Sequence, residues 1–430
     1  MTTRPFQFEY GNTTLRVDIE EKTLIGSIEA QEIPPLDNLA GSLRNSFNHP
    51  ISSNPLRKIV KKSDTVTILV GDMTRLWVGT ANFLPVLLEE LLSYGLDYRQ
   101  ITIVIGTGDH RPHTNKEKGQ IVGNTIADTF KIIDHGARDE GNLIHLGETN
   151  HGTPVWINRH VMEADKVILT GGIVYHFLAG FGGGPKALSI GAAGYETIQS
   201  NHKIALGNQT QGLNPNVSSG KTTGNPLYED LVEIMKMAKA DFLINTIINR
   251  KKEIAAVVVG DPIEAHEEGI RLVQKFYGVK TTSKADLVIA SAMGYPEDIN
   301  LYQVYKTLDN VTRVARPGGT IVLFAECREG MGNKDFEDIL IGFRDNDSRY
   351  AHLCSHCTIG GLMGFGIARW AARHRIILYS SLPPTTVEKA GMIPAKTPQE
   401  AIAKGYELAK DDPTVILMPH GSVTFPIFEQ

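Results

Sequence analysis

Short runs of β-branched and aliphatic residues recur along the chain: "TVTILV", "QITIVIG", "DKVILTGG", "ADFLINTIIN", "EIAAVVVG", "ADLVIASA", "GGTIVLFA", "RIILYSS" and "TVILMPHG". Amphipathic stretches such as "ANFLPVLLEELLSYG" separate several of them. A strand with one wet face alternates apolar and polar residues, so continuous apolar runs predict strands covered on both faces. Strands alternating with helical segments predict parallel strands joined by crossover helices. The expected class is α/β: two α/β domains with mainly parallel sheets.

A chain of 430 residues has room for two or three cores. A helix is expected after "VVVGDP", and a fresh strand begins at Ala285. This sets a first, cofactor-binding domain at 1–276 and a second, substrate-contacting domain at 277–410. Residues 411–430 end in a strand with no helix after it and are expected to rejoin the first domain.

Composition narrows the partners. A net charge of -5 gives no broad basic surface, which argues against nucleic acid. The N-terminus "MTTRPFQFEYGN" has no apolar signal core and no run reaches membrane-spanning length, so no membrane partner and a cytoplasmic address are expected. Three cysteines are too few for a disulfide framework.

In open parallel sheets ligands gather at the carboxyl ends of strands, where loops and helix N-termini present free N–H groups. "TVTILV" is followed by Asp72 and Arg75, "ITIVI" by His110, and "KVILT" by His176. Each has a structural reading of its own: Asp72 with Arg75 as a cap and surface pair, His110 as a loop histidine bonded to backbone. Three strands delivering an acid, an arginine and two histidines to one edge predict a site. His113 lies further from its strand end and is expected to be a bystander.

The stretch "HFLAGFGGGPKALSIGAAGYETIQSNH" holds Gly182, Gly183 and Gly184, then Lys186, with His202 further on. A phosphate-binding loop needs lysine directly after glycine and then Ser or Thr; here Pro185 intervenes and Ala187 follows. "SSGKTT" has Pro215 where the first glycine belongs. A dinucleotide fingerprint starting at Gly106 fails at Arg111. The run still lets backbone approach a bulky group, and a lysine at a helix start opposes the helix dipole unless an anion or a covalent partner compensates. His202 reads either as a structural histidine or as a metal ligand that needs help from a chelating cofactor.

With "GDMTRLW", "GTGDHRPHT", "VYHFLAGFGGGPKALSIG", "QSNH" and "LYQVYKTLDN" in this order, the chain resembles the nickel-pincer-nucleotide-dependent lactate racemase family. The resemblance implies a nickel-pincer nucleotide (pyridinium-3,5-bisthiocarboxylic acid mononucleotide nickel) joined to Lys186 through a thioamide, delivered by cofactor maturation proteins. It implies His202 as the protein ligand to nickel and Asp72 among the cofactor contacts. Gly182, Gly183 and Gly184 would give the nucleotide room and amides. The implied reaction is racemisation or epimerisation of a small 2-hydroxy acid. Hydride passes to the cofactor and back through a transient 2-keto acid, with His110 and His176 alternating as base and acid. Arg75, Gln303 and Lys306 would anchor the carboxylate in an interdomain cleft, the last two sharing one helical face. The family also places a tryptophan near substrate, for which Trp370 is the candidate in the second domain; core packing is its other reading.

Two readings of other classes stay open: a two-domain receptor that clamps an anionic metabolite, and a nucleotide-dependent 2-hydroxy acid dehydrogenase. "AHLCSHC" brings Cys354 and Cys357 together as packing thiols, a redox pair or half a zinc site. "HEEGI" at His266 lacks the second histidine of a zinc protease.

Overall fold

A computed structural model describes residues 2–207 and 212–428. The chain divides into two compact units: one of residues 32–205 and 214–275, the other of residues 1–31, 206–213 and 276–430. Each is built on a six-stranded sheet.

In the first unit the strand order is Ile254–Gly260, Phe242–Ile248, Lys166–Gly172, Val66–Gly71, Ile101–Gly106, Lys131–Asp134. All neighbours are parallel except Ile254–Gly260, which runs antiparallel to Phe242–Ile248. That edge strand is the one antiparallel member of a mainly parallel sheet, as expected, because only a short turn through Asn249–Lys252 separates the pair, too short for a crossover. Both faces of the sheet are covered, as the unbroken apolar runs require. Val66, Ile68, Val70, Ile101, Ile103 and Ile105 pack with the Thr80–Ser93 helix on one side. Leu69, Val104, Val167 and Leu169 pack with Leu188, Ile234 and Met235 on the other. The chain lays down Val66–Gly71 first, moves outward through Ile101–Gly106 and Lys131–Asp134, then returns to the opposite side of its starting strand with Lys166–Gly172. The connection therefore reverses direction between Val66–Gly71 and Lys166–Gly172, the place where loops diverge and leave a crevice at the carboxyl edge.

In the second unit the order is Ile393–Ala395, Arg375–Tyr379, Ala315–Phe324, Ala285–Ser291, Val415–Met418, Leu24–Ser27, parallel throughout. An antiparallel hairpin, Thr3–Tyr10 with Thr13–Glu20, packs Phe8, Val17 and Ile19 against Leu287, Ile289, Val322 and Phe324. Two domain assignments are corrected here. Residues 411–430 do not rejoin the first domain, because Val415–Met418 pairs with Ala285–Ser291. Residues 1–31, expected in the first domain, belong to this unit, because Leu24–Ser27 pairs with Val415–Met418. A strand with no helix after it needs only a parallel neighbour, and the nearest unfilled edge decides which sheet takes it. All nine apolar runs form strands. Among the described residues no helix is long and apolar enough to cross a membrane.

Candidate active site

Four loops meet at the reversal point of the first sheet. After Val66–Gly71 the chain turns at once into a 3-10 segment, Met73–Val78, headed by Asp72. Asp72 is buried, yet its carboxylate neither caps that segment nor pairs with Arg75. Oδ2 accepts from His110 Nδ1 at 2.6 Å and Oδ1 from the Thr74 hydroxyl at 2.6 Å. Burial works against its charge, but the hydrogen bonds from His110 and Thr74 and the nearby charges of His110 and Arg75 hold its carboxyl below the usual range. With Nδ1–H donated to Asp72, His110 presents Nε2 as an acceptor on a side chain that is 55% exposed. Arg75 is exposed, and the hydrogen bonds of its guanidinium go to Thr74.

His110 is placed by glycines. Gly108 has φ +55°, and its N–H donates to Gly191 O at 3.1 Å. A Cβ on Gly106 would meet Gly191 backbone at 3.2 Å. "GTG" thus lets the His110 loop lie directly on the loop after Lys186. His113, expected to be a bystander, braces this loop: Nδ1 donates to Asp134 at 2.7 Å and Nε2 accepts the Met73 N–H at 3.3 Å.

The Lys166–Gly172 strand leads to His176 and the glycine run. Gly183 and Gly184 have φ of +75° and +51°. A Cβ on Gly184 would lie 2.3 Å from the His266 ring, and one on Gly183 2.6 Å from Asn245 Oδ1. The run is therefore glycine because it packs against buried side chains of its own unit. Asn245 Oδ1 accepts from the Gly184 N–H at 2.8 Å, and His266 donates Nε2–H to Gly182 O at 2.9 Å. The Gly182 N–H donates to Val174 O at 2.8 Å. This corrects the expected amide cradle: the N–H groups of Gly182 and Gly184 are used inside the protein and are not offered to a phosphate. His266 and Asn245 went unrecognised as supports of the run; a histidine in an amphipathic helix start gives no signal of the loop it touches.

Lys186 opens a four-residue helix, Lys186–Ser189, rather than the longer one expected; a second, Tyr195–Lys203, carries His202. Lys186 Nζ lies 2.5 Å from His176 Nε2. Burial, with the Arg75 charge adding to it, lowers its amine to about 7. Burial also lowers His202, with the Lys186 charge second, to about 3, so the ring is neutral at physiological pH. Its Nδ1 is buried with no hydrogen-bond partner among the described residues. A buried ring nitrogen left unpaired is costly. Among the described residues no group of three or more His, Cys, Asp or Glu side chains could hold a metal ion. A metal at His202 would therefore take its other donors from a bound molecule.

The structure thus joins Asp72, Arg75, His110, His176, Lys186 and His202 through hydrogen bonds and mutual electrostatic influence. Gln303 and Lys306 belong to the other unit, on the Leu301–Val314 helix that follows Ala285–Ser291. Gln303 is partly buried in the first turn, and Lys306 is exposed, 3.9 Å from Glu297. Trp370 stands at the opposite, amino edge of that sheet: its carbonyl accepts from Arg373 and His374 just before Arg375–Tyr379, and its ring packs on buried Tyr305 at 4.8 Å. That contact is the core packing that stood as the other reading of this residue. Cys354 is exposed and Cys357 buried, and they join no cluster of metal-binding side chains among the described residues.

A carboxylate-oriented histidine, a lysine amine lowered by burial and an arginine that pairs with no carboxylate among the described residues, gathered at the reversal point of a parallel sheet, are the marks of an α/β enzyme. Comparison with known proteins supplies its kind. The lactate racemase N-terminal domain matches residues 10–214 and the lactate racemase C-terminal domain residues 280–425. The lactate racemase of Lactiplantibacillus plantarum is 29% identical over 419 residues, covering 96% of this chain and 97% of the relative. That of Thermoanaerobacterium thermosaccharolyticum is 26% identical over 422 residues, with the same coverage. The solved lactate racemase apoprotein from the latter organism superposes with a TM-score of 0.89 at 25% identity over 99% of this chain and 100% of its own. A Thermotoga maritima protein shares the fold alone, with a TM-score of 0.66 at 17% identity. The chain belongs to the lactate racemase family and is an isomerase. The receptor reading falls with that membership.

Proposed function

We propose that the chain racemises or epimerises a small 2-hydroxy acid by reversible hydride transfer, using a nickel-pincer nucleotide joined to Lys186. The observation that carries this reading is the pairing of a buried lysine amine, lowered to about 7, with a neighbouring buried histidine, His202, whose Nδ1 has no partner among the described residues. One residue is suited to covalent attachment and the other to ligating a metal, and the charge of Lys186 reaches the His202 ring.

The chain's residues then have separate jobs. Arg75 grips the substrate carboxylate through its planar fork, which no carboxylate among the described residues occupies. His110 takes the hydroxyl proton at Nε2, and Asp72 fixes the tautomer and steadies the imidazolium that forms, since Nδ1–H remains bonded to Oδ2. Removing that proton as the hydrogen on carbon leaves as hydride avoids a dianion. His202, neutral at physiological pH, would hold nickel through a ring nitrogen. The nucleotide, when bound, supplies the hydride acceptor. His176 acts on the opposite face in the return step, and Gln303 and Lys306 are assigned to the carboxylate. Lactate is the first substrate to try, because the relatives carry that name.

The test is co-expression with the family's maturation proteins, followed by intact mass, metal analysis and chiral chromatography of lactate. An adduct on the Lys186 peptide, about one nickel per chain and loss of optical purity without accumulated keto acid are expected. Net keto acid with exchange of free NAD would support a dehydrogenase instead.

A further inference from the structure

Asp72 stands at the head of Met73–Val78, where an aspartate ordinarily caps the first N–H groups, yet its carboxylate makes no such bond. Its two oxygens are used otherwise. Oδ1 accepts from the Thr74 hydroxyl at 2.6 Å and Oδ2 from His110 Nδ1 at 2.6 Å. Thr74 also accepts: Arg75 Nη1 donates to its hydroxyl oxygen at 2.8 Å and to its carbonyl at 3.3 Å. A guanidinium has donors only and a carboxylate acceptors only, so a group standing between them must do both. The Thr74 hydroxyl is that group, and its one proton goes to Asp72. An unbroken chain of bonds therefore runs from Arg75 through Thr74 and Asp72 to His110. Both bonds of the guanidinium use Nη1, which leaves its Nε–Nη2 edge with no acceptor among the described residues.

We propose that Thr74 is the positioning residue that holds the carboxylate grip and the proton acceptor in one frame. A 2-hydroxy acid carries its carboxylate and its hydroxyl on adjoining carbons. Arg75 on the first and His110 Nε2 on the second must keep a fixed separation, since a misplacement of about 1 Å can cost roughly a hundredfold in rate. The segment gives little rigidity by itself: it is a 3-10 turn in which Arg75 leaves helical geometry, with φ -116° and ψ 17°. Arg75 is also long and exposed, so its head is fixed by the bond to Thr74 and not by packing. Asp72 is buried, and without Thr74 its Oδ1 would be a buried acceptor with no donor. The carboxylate would then turn to cap the N–H groups at the start of the segment. Turning takes Oδ2 from His110 and lets the imidazole exchange tautomers. This rests on the proposed racemisation for the roles of Arg75 and His110; the hydrogen bonds belong to the chain itself.

Thr74 is exposed, so Thr74→Val keeps the fold and the side-chain shape while removing the hydroxyl, and Thr74→Ser keeps the hydroxyl. The first arm uses the full chain made without maturation proteins and labelled on histidine nitrogen. Two-bond proton–nitrogen spectra are taken at one fixed pH above neutrality, with His110 assigned by the signal missing from His110→Asn. The wild-type and Ser chains are expected to show His110 as the single Nδ1–H tautomer, and the Val chain as a mixture of both. A single Nδ1–H tautomer in the Val chain overturns the proposal. The second arm uses the cofactor-loaded enzyme and chiral chromatography of lactate. Thr74→Val is expected to lower kcat and raise KM, each by about tenfold, as lost bonds to charged groups imply, and Thr74→Ser to return both to within about threefold. In an Asp72→Asn background the kcat effect of Thr74→Val should shrink below about twofold, and in an Arg75→Ala background its KM effect should do the same, because members of one network are not additive. Additivity in either cycle, or a Ser chain as impaired as the Val chain, overturns it. Mixed tautomers in the Val chain, beside a loaded enzyme that racemises nothing, sink the proposed racemisation and leave the link to His110 standing. Racemisation with additive cycles does the reverse.

Discussion

The two six-stranded sheets differ in what they place at their carboxyl edges. In the sheet begun by Val66–Gly71, the edge carries groups whose charge is set by surroundings: Asp72 held ionised, Lys186 and His202 driven toward neutrality by burial. In the sheet that contains Ala285–Ser291, the residues singled out are Gln303 and Lys306 on the first turns of a helix, Lys306 exposed on a flexible stem. One edge adjusts protonation, which chemistry needs. The other offers long side chains, which suit holding a substrate. Parallel-sheet architecture alone does not choose between these uses; the depth at which side chains are set does.

The largest effects should fall on the first edge. Lys186→Ala should abolish racemisation and every trace of bound nucleotide, read by chiral chromatography and intact mass. His110→Asn should keep nickel and lose about 10²–10⁴ in kcat, the worth of general acid–base catalysis. Asp72→Asn should fall in the same range by removing the carboxylate that fixes the His110 tautomer. On the second edge, Lys306→Ala should raise KM with kcat little changed, by about 10–100-fold, the cost of roughly 1.5–3 kcal/mol for a charge-assisted bond. Equal loss of kcat at both edges would erase the distinction.

A stability measurement sharpens it further. Burial lowers His266 to about 4 from its ordinary 6.5, so between these values the unfolded chain binds more protons than the folded one. Stability is then fully present above about pH 6.5 and falls on acidification toward pH 4, at up to about 1.4 kcal/mol per pH unit. His266→Asn should show a lower Tm at pH 7 but a shallower decline of Tm between pH 7 and 5. The smallest effect is expected of Trp370→Phe, whose kcat and KM should stay within about twofold of wild type because its ring packs on Tyr305 at the opposite edge.

The strands were legible because burial on both faces writes itself as unbroken apolar runs. Asp72, Arg75, His110 and His176 were legible because they follow such runs directly. What stayed hidden depends on contacts between distant segments. The role of His266 rests on a 2.9 Å bond to Gly182, 84 positions away. The glycine run read as an opening for a ligand, whereas Gly183 and Gly184 are glycine to admit Asn245 and His266. The fate of the last strand depends on which sheet has an unfilled neighbour, and no local pattern records that.

The outermost strand of the second sheet, Leu24–Ser27, has as its neighbour Val415–Met418, nearly the whole chain later. A ribosome therefore releases the Thr3–Glu20 hairpin, with Phe8, Val17 and Ile19 on its apolar side, long before the surface that receives it exists. Residues 32–205 and 214–275 can condense while synthesis continues, but the flanking unit must wait for Val415–Met418 to emerge. Translation products that stop before Ala285 would carry that hairpin with Phe8, Val17 and Ile19 uncovered, a surface prone to aggregate.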